Sequence, residues 1–157
     1  MSFDTTPNGT RGARQPKAGR LSTWFNNWSA KKIRRNGGGK MMGFNALVLT
    51  TIGAKSGVER TSPVGWFPTD NGDGWLIVAS AAGAPKNPAW YYNLAAHPDR
   101  VTIEMGGRRI PVTAEQLHGA DRVAARQRIV RAAPRFASYE SKTDREIPII
   151  RLTRRAG

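Results

Sequence analysis

From Ala46 to Ile52 the chain reads Ala-Leu-Val-Leu-Thr-Thr-Ile, an apolar and β-branched run ended by Gly53. A run of that length and composition predicts a buried strand. The turn Gly53-Ala-Lys-Ser-Gly57 leads into a second predicted strand, Val58 to Phe67. Pro63 inside it cannot donate to a ladder, so it demands an edge position or a bulge. Asp70-Asn-Gly-Asp-Gly74 predicts a tight reversal into Trp75-Leu-Ile-Val-Ala79, which makes these two strands a hairpin. Val101, Ile103 and Met105, then Ile110, Val112 and Ala114, alternate with polar residues on either side of Gly106-Gly107 and predict a second hairpin. Ile147 to Leu152 reads as a last strand.

A different spacing marks the helices. Asn87-Pro88 suits the N-cap and first position of a helix over Ala89 to Ala96, because proline's missing N–H is no loss there. Residues 119 to 133 suit a helix with arginines on its wet side. Leu21, Trp24, Phe25 and Trp28 recur at i, i+3, i+4 and i+7, followed by Lys31, Lys32, Arg34 and Arg35 and stopped by glycines 37 to 39. Such a stripe either docks on the core or lies on an anionic lipid surface. About six short strands, few helices and no long crossovers favour a small antiparallel barrel with peripheral helices. The expected organisation is a disordered basic tail over residues 1–20, an amphipathic helix over 21–36, and a mainly β barrel domain over 37–157.

With 157 residues the chain has room for one domain. Its net charge of +14 is uneven: residues 1 to 40 carry nine basic side chains against Asp4 alone. Acidic partners are therefore attracted, but no base-stacking surface accompanies the charge, so no specific nucleic-acid partner is expected. The absence of cysteine excludes disulfides and thiolate zinc sites and fits a cytoplasmic chain, with residues 21–35 able to hold it peripherally on the inner face of the cell membrane. Gly37-Gly-Gly-Lys-Met41 lacks the remainder of a P-loop, and no Gly-x-Gly-x-x-Gly follows a strand. His97 and His118 do not stand at a metal-ligand spacing, and no metal is expected.

What remains is a set of anion-binding pieces. Lys55 and Ser56 lie in a glycine-flanked turn, Arg60 opens the next strand, and Ser80 precedes the loop Ala81-Ala-Gly-Ala84. The helix after Pro88 offers free N–H groups and a positive dipole end to a phosphate.

Leu49-Thr-Thr-Ile-Gly-Ala-Lys-Ser-Gly57, Glu59-Arg-Thr-Ser-Pro63, Val78-Ala-Ser80, Asn87-Pro-Ala-Trp-Tyr-Tyr-Asn-Leu94 and Thr143-Asp-Arg-Glu-Ile-Pro148 together resemble the deazaflavin-dependent nitroreductase family. The likeness covers roughly residues 22 to 152. It implies a split β-barrel, like that of FMN-binding proteins, that binds the acidic 5-deazaflavin F420, with FMN as the alternative. By the same resemblance Lys55, Ser56 and Arg60 meet the cofactor's anionic tail and phosphate. Pro63, Ala79 and Ser80 lie beside the ring or its linker, and Ala89 and Trp90 form the helix start near the phosphate. Trp90 serves equally well as core. Ala54, Ala81, Gly65, Ala133 and Phe136 depart from residues found in other members, and only Tyr139 remains of an aromatic cluster. The activity implied is hydride transfer from reduced F420 to an electron-poor acceptor such as a quinone, activated alkene or nitro compound. Tyr139 is the candidate proton donor and Ser80 the alternative. The competing expectation is an F420- or flavin-binding protein without turnover.

Overall fold

The computed structural model describes residues 5–9, 40–41, 44–69, 72–79, 87–143 and 146–155. The expected helix over 21–36 and the loop containing Ser80 and Ala81 lie outside them. A short strand β1 (Lys40–Met41) leads into β2 (Phe44–Ile52), β3 (Glu59–Pro68) and β4 (Gly74–Val78). Helix α1 (Ala89–Ala96) follows, then β5 (Val101–Met105), β6 (Arg108–Gln116), α2 (Gly119–Ala132), α3 (Arg135–Lys142) and β7 (Ile149–Arg154).

All strand pairings are antiparallel, in the order β1-β2-β3-β4-β7-β6-β5. The far strand β5 returns to β2 through Val48–Glu104, Leu49–Ile103 and Thr50–Thr102. That last pairing closes β2 to β7 into a six-stranded barrel and removes the open edge that a sheet otherwise exposes. Both expected hairpins form. Gly106 and Gly107 take φ of 57° and 73° between β5 and β6, the left-handed pair that a two-residue hairpin turn requires. Pro63 pairs with Val48 on one side, while β4 meets β3 only from Trp66 to Pro68. Its missing N–H thus costs no bond to β4, as the edge expectation required.

Neighbouring residues of β4 and β7 point to opposite faces, and both faces are covered. Ile77 and Ile150 join Leu47, Leu49, Ile103, Val112 and Leu152 inside the barrel, capped by Tyr91 and Leu94 of α1. Leu76 and Ile149 face the other way, into a second cluster with Leu117, Ala125, Ile129, Phe136, Tyr139 and Ile147. Double burial explains why Leu76-Ile77 of β4 and Ile149-Ile150 of β7 are adjacent apolar pairs, whereas β7 beyond Ile150 alternates, with Leu152 buried between half-buried Arg151 and exposed Thr153. Helix α2 matches its expected span, whereas α3 has no counterpart in the sequence reading. Its two anchors, Phe136 and Tyr139, are too few to show a period. Arg126 fastens α3 to α2 with Nε and Nη2 donating to the Glu140 carboxylate at 3.0 and 2.7 Å, a contact that also raises the arginine's pKa.

Two further differences concern the ends of α1. Pro88, not Asn87, occupies the N-cap, and no side chain caps the helix. Asn87 is buried and its amide donates instead to the carbonyl of Thr6 at 2.8 Å and to the Tyr92 hydroxyl at 3.2 Å. Residues 5–9, expected within a disordered tail, are in fact tied to the domain. The Thr6 N–H donates to the Tyr91 hydroxyl (2.9 Å), that hydroxyl donates to Gln116 Oε1 (2.8 Å), and Gln116 Nε2 donates to Thr6 Oγ1 (3.0 Å). Thr6 is 7%, Tyr91 0% and Gln116 3% exposed, so this ring is shielded from water. Tyr91→Phe is expected to lower unfolding free energy by about 1 to 3 kcal/mol, because it strands buried amide groups. Urea denaturation reads the effect, and an unchanged midpoint would show that the ring holds nothing.

Candidate functional site

The turn between β2 and β3 is built by glycine. The Gly53 N–H donates to the Val58 carbonyl (2.8 Å) and the Gly57 N–H to the Gly53 carbonyl (2.9 Å). Gly57 sits at φ 69°, and a Cβ on Gly53 would fall 2.4 Å from Ser56 Oγ. Ser56 Oγ meanwhile accepts from the Val58 N–H at 3.2 Å. This compact loop leaves Lys55 and Ser56 exposed at its tip, with Arg60 exposed just beyond in β3.

Across from the turn stands α1, and one side chain joins the two. Asn93 Oδ1 accepts from the Ala54 N–H at 3.0 Å, while its Nδ2 donates to Thr51 Oγ1 at 3.1 Å. Between them runs a groove of about 1290 Å³, lined by Lys55, Ser56 and Arg60 on one side and by Ala89, Trp90 and Tyr92 on the other. Five of the residues singled out in the sequence, drawn from two separate segments, thus share one cavity. Trp90 fulfils both of its readings, since it also packs against the barrel core. Glu59 lines the groove as well, but Arg109 Nη2 stands 3.5 Å from its carboxylate, which offsets part of the only acidic charge there among the described residues. A groove with two exposed cations and an uncapped helix N-terminus suits a large anionic ligand.

The other candidates lie elsewhere. Pro63 is half-buried in β3, and Ala79 is fully buried after β4, its N–H donating to the Pro148 carbonyl at 3.0 Å. Tyr139 is 8% exposed in the second core cluster, with Lys142 Nζ 5.7 Å from its ring centre, and does not line the groove. Ser80 lies outside the described residues. His97 and His118 sit at the end of α1 and the start of α2, and the described residues hold no group of three or more metal-ligating side chains. Asn93 was missed by the sequence reading, yet it left a signal. An asparagine inside the otherwise apolar helix Ala-Trp-Tyr-Tyr-Asn-Leu-Ala-Ala is a poor helix former unless its amide is used elsewhere.

Residues 24–154 match the model of the F420H(2)-dependent quinone reductase family. The chain belongs to that family. An F420H(2)-dependent quinone reductase of Mycobacterium tuberculosis is 43% identical over 113 residues, which cover 70% of this chain and 74% of the relative. Among solved structures, an F420-H2 dependent reductase is 39% identical with a TM-score of 0.60, covering 68% of this chain and 92% of that one. A domain-swapped dimer is 34% identical with a TM-score of 0.62, covering 84% and 98%. A haem-storage protein of Vibrio cholerae, 15% identical with a TM-score of 0.51 over 82% of this chain and 89% of its own, shares the fold alone. The resemblance to deazaflavin-dependent enzymes and the split-barrel expectation are both borne out. F420H(2)-dependent quinone reductases are oxidoreductases, with reduced F420 as the reductant and a quinone as acceptor.

Asn93→Ala is expected to cost about 1 to 3 kcal/mol of stability, since the Ala54 N–H and the Thr51 hydroxyl lose their partner. F420 affinity should fall with it because the turn is no longer held against α1. Thermal melting and cofactor titration together check this, and wild-type values in both would remove Asn93 from the site.

Proposed function

We propose that the groove between the β2–β3 turn and α1 seats F420H2, with Lys55, Ser56 and Arg60 meeting the acidic tail and phosphate. The single observation carrying this reading is the convergence of Lys55, Ser56, Arg60, Ala89 and Trp90 on one cavity. The fit is chemical as well as spatial. Lys55 supplies a mobile point charge, Arg60 a planar fork able to hold two phosphate or carboxylate oxygens, and the uncapped start of α1 supplies backbone donors. Bound F420H2 supplies a hydride to the acceptor.

The chain's own contribution is to orient, exclude water and hold a proton. Pro63, and Ala79 after β4, are proposed to flank the ring or its linker, with Ser80 beside them. Tyr139 is proposed as the proton donor, with Ser80 as the alternative. Ile147 and Ile149 of the tyrosine's cluster flank Pro148, whose carbonyl accepts from the Ala79 N–H, so the cluster adjoins the end of β4. Residues 21–35 are proposed to bring the enzyme to an anionic membrane surface where a lipophilic quinone partitions, through Trp24, Phe25 and Trp28 beside four basic residues.

Each part has its own measurement. Lys55→Ala and Arg60→Ala are each expected to weaken F420 binding about tenfold or more, the usual scale of one charge-assisted hydrogen bond. Unchanged dissociation constants in both variants would refute the seating. Tyr139→Phe should retain cofactor affinity while turnover falls about 10²-fold or more. Full turnover would leave Tyr139 a packing residue beside Lys142. Full-length protein should sediment with anionic vesicles at low salt and stay in solution with neutral ones, and equal behaviour towards both would end the membrane reading.

A further inference from the structure

The proposed seat of F420 has a third wall that neither the cations nor α1 supplies. Thr5 and Asn8 line the same groove as Lys55 and Arg60, although nearly fifty residues separate the two segments in sequence. Their position is not left to chance. Thr6 is locked into the buried ring with Tyr91 and Gln116, and its carbonyl accepts from Asn87 Nδ2. Pro7, with its fixed φ, then passes that anchorage directly to Asn8.

Asn8 is exposed at the groove, and its carboxamide is oriented by its neighbours. Its Oδ1 accepts from the Asn87 N–H (3.0 Å), from Asn87 Nδ2 (3.4 Å) and from the Tyr92 hydroxyl (3.0 Å). The Asn87 N–H can only donate, so oxygen and not nitrogen faces α1. The two N–H groups of Asn8 Nδ2 consequently point away from α1, and no acceptor meets them among the described residues. Thr-Thr-Pro-Asn-Gly over residues 5–9 contains no acid that would oppose an anion.

We infer that residues 5–9 are a structural wall of the cofactor groove and that Asn8 Nδ2 donates a hydrogen bond to the anionic cofactor, an inference that rests on the groove being the F420 seat. Thr6 is the positioning residue and Asn8 the ligand-contacting one. A basic tail would add only diffuse attraction, whereas this neutral segment adds a donor of fixed direction.

Asn8→Asp separates the donor from the strap. Aspartate retains an acceptor for Asn87 and Tyr92 but has no N–H and brings a negative charge to face an acidic ligand. Fluorescence titration of full-length protein with F420 is expected to show at least about tenfold weaker binding in Asn8→Asp, or about 1.4 kcal/mol at 25 °C, with an unchanged melting temperature. Asn8→Ala should weaken binding as well. Asn8→Asp binding within twofold of wild type overturns the inference, and if Asn8→Ala alone is weakened, Asn8 only ties the strap to α1 and donates nothing. Lys55→Ala measured alongside distinguishes the two levels: weak binding there with wild-type binding in Asn8→Asp removes the third wall and keeps the seat. Unchanged binding in both Lys55→Ala and Arg60→Ala removes the seat and this inference together.

Discussion

The carboxamide of Asn93 holds two pieces of chain in fixed relation, the glycine-built turn after β2 and the helix α1. Everything that makes the groove a place for an anion depends on that relation. The cations come from the turn and from β3, the backbone donors come from the start of α1, and neither set is continuous with the other in sequence. Hydrogen bonds to a backbone N–H and to a threonine hydroxyl are directional, so they set an angle as well as a distance. Apolar packing of Tyr91 and Leu94 on the barrel supplies most of the adhesion of α1, but packing alone leaves a helix free to slide by fractions of a turn.

The barrel's part is to make the turn's base unyielding. Closure through Leu49–Ile103 pairs β2 on both sides from Val48 to Thr50, with β3 and with β5, and Thr51 and Ile52 continue to the turn paired with β3. The second cluster under α2 and α3 then covers the outer faces of β4 and β7. Tyr139 belongs to that outer layer, while Lys55 and Arg60 line the groove beside α1. A charged groove and an apolar region beside the end of β4 are thus built from different layers of the fold.

Much of this was legible in the residues. Alternation and turn chemistry marked both hairpins, and the apolar run of β4 was recognisable as a strand because both of its faces are buried. Lys55, Ser56, Arg60, Ala89 and Trp90 were found from turn and helix-start chemistry together with family likeness, and they meet in one cavity. Other features were hidden for physical reasons. Helix α3 turns on two apolar contacts and one arginine–carboxylate pair with α2, and a partner fourteen residues away leaves no periodic trace. Asn87 looked like a cap because an asparagine before proline usually is one, but its amide is spent on Thr6, 81 residues distant. Residues 5–9 looked like tail because a neutral, proline-containing segment has nothing to bury except one threonine, and its partners are polar groups of remote elements.

That segment also ties together remote parts of the chain. The bond from Gln116 Nε2 to Thr6 Oγ1 spans 110 residues, so it closes one of the longest loops in the chain. Tyr91 lies in α1 and Gln116 at the end of β6, opposite Ile150 of β7, so the ring draws on elements far apart in sequence. Residues 5–9 can therefore be fastened only where α1 and β6 already stand side by side, which makes this wall of the groove a long-range attachment to elements assembled without it.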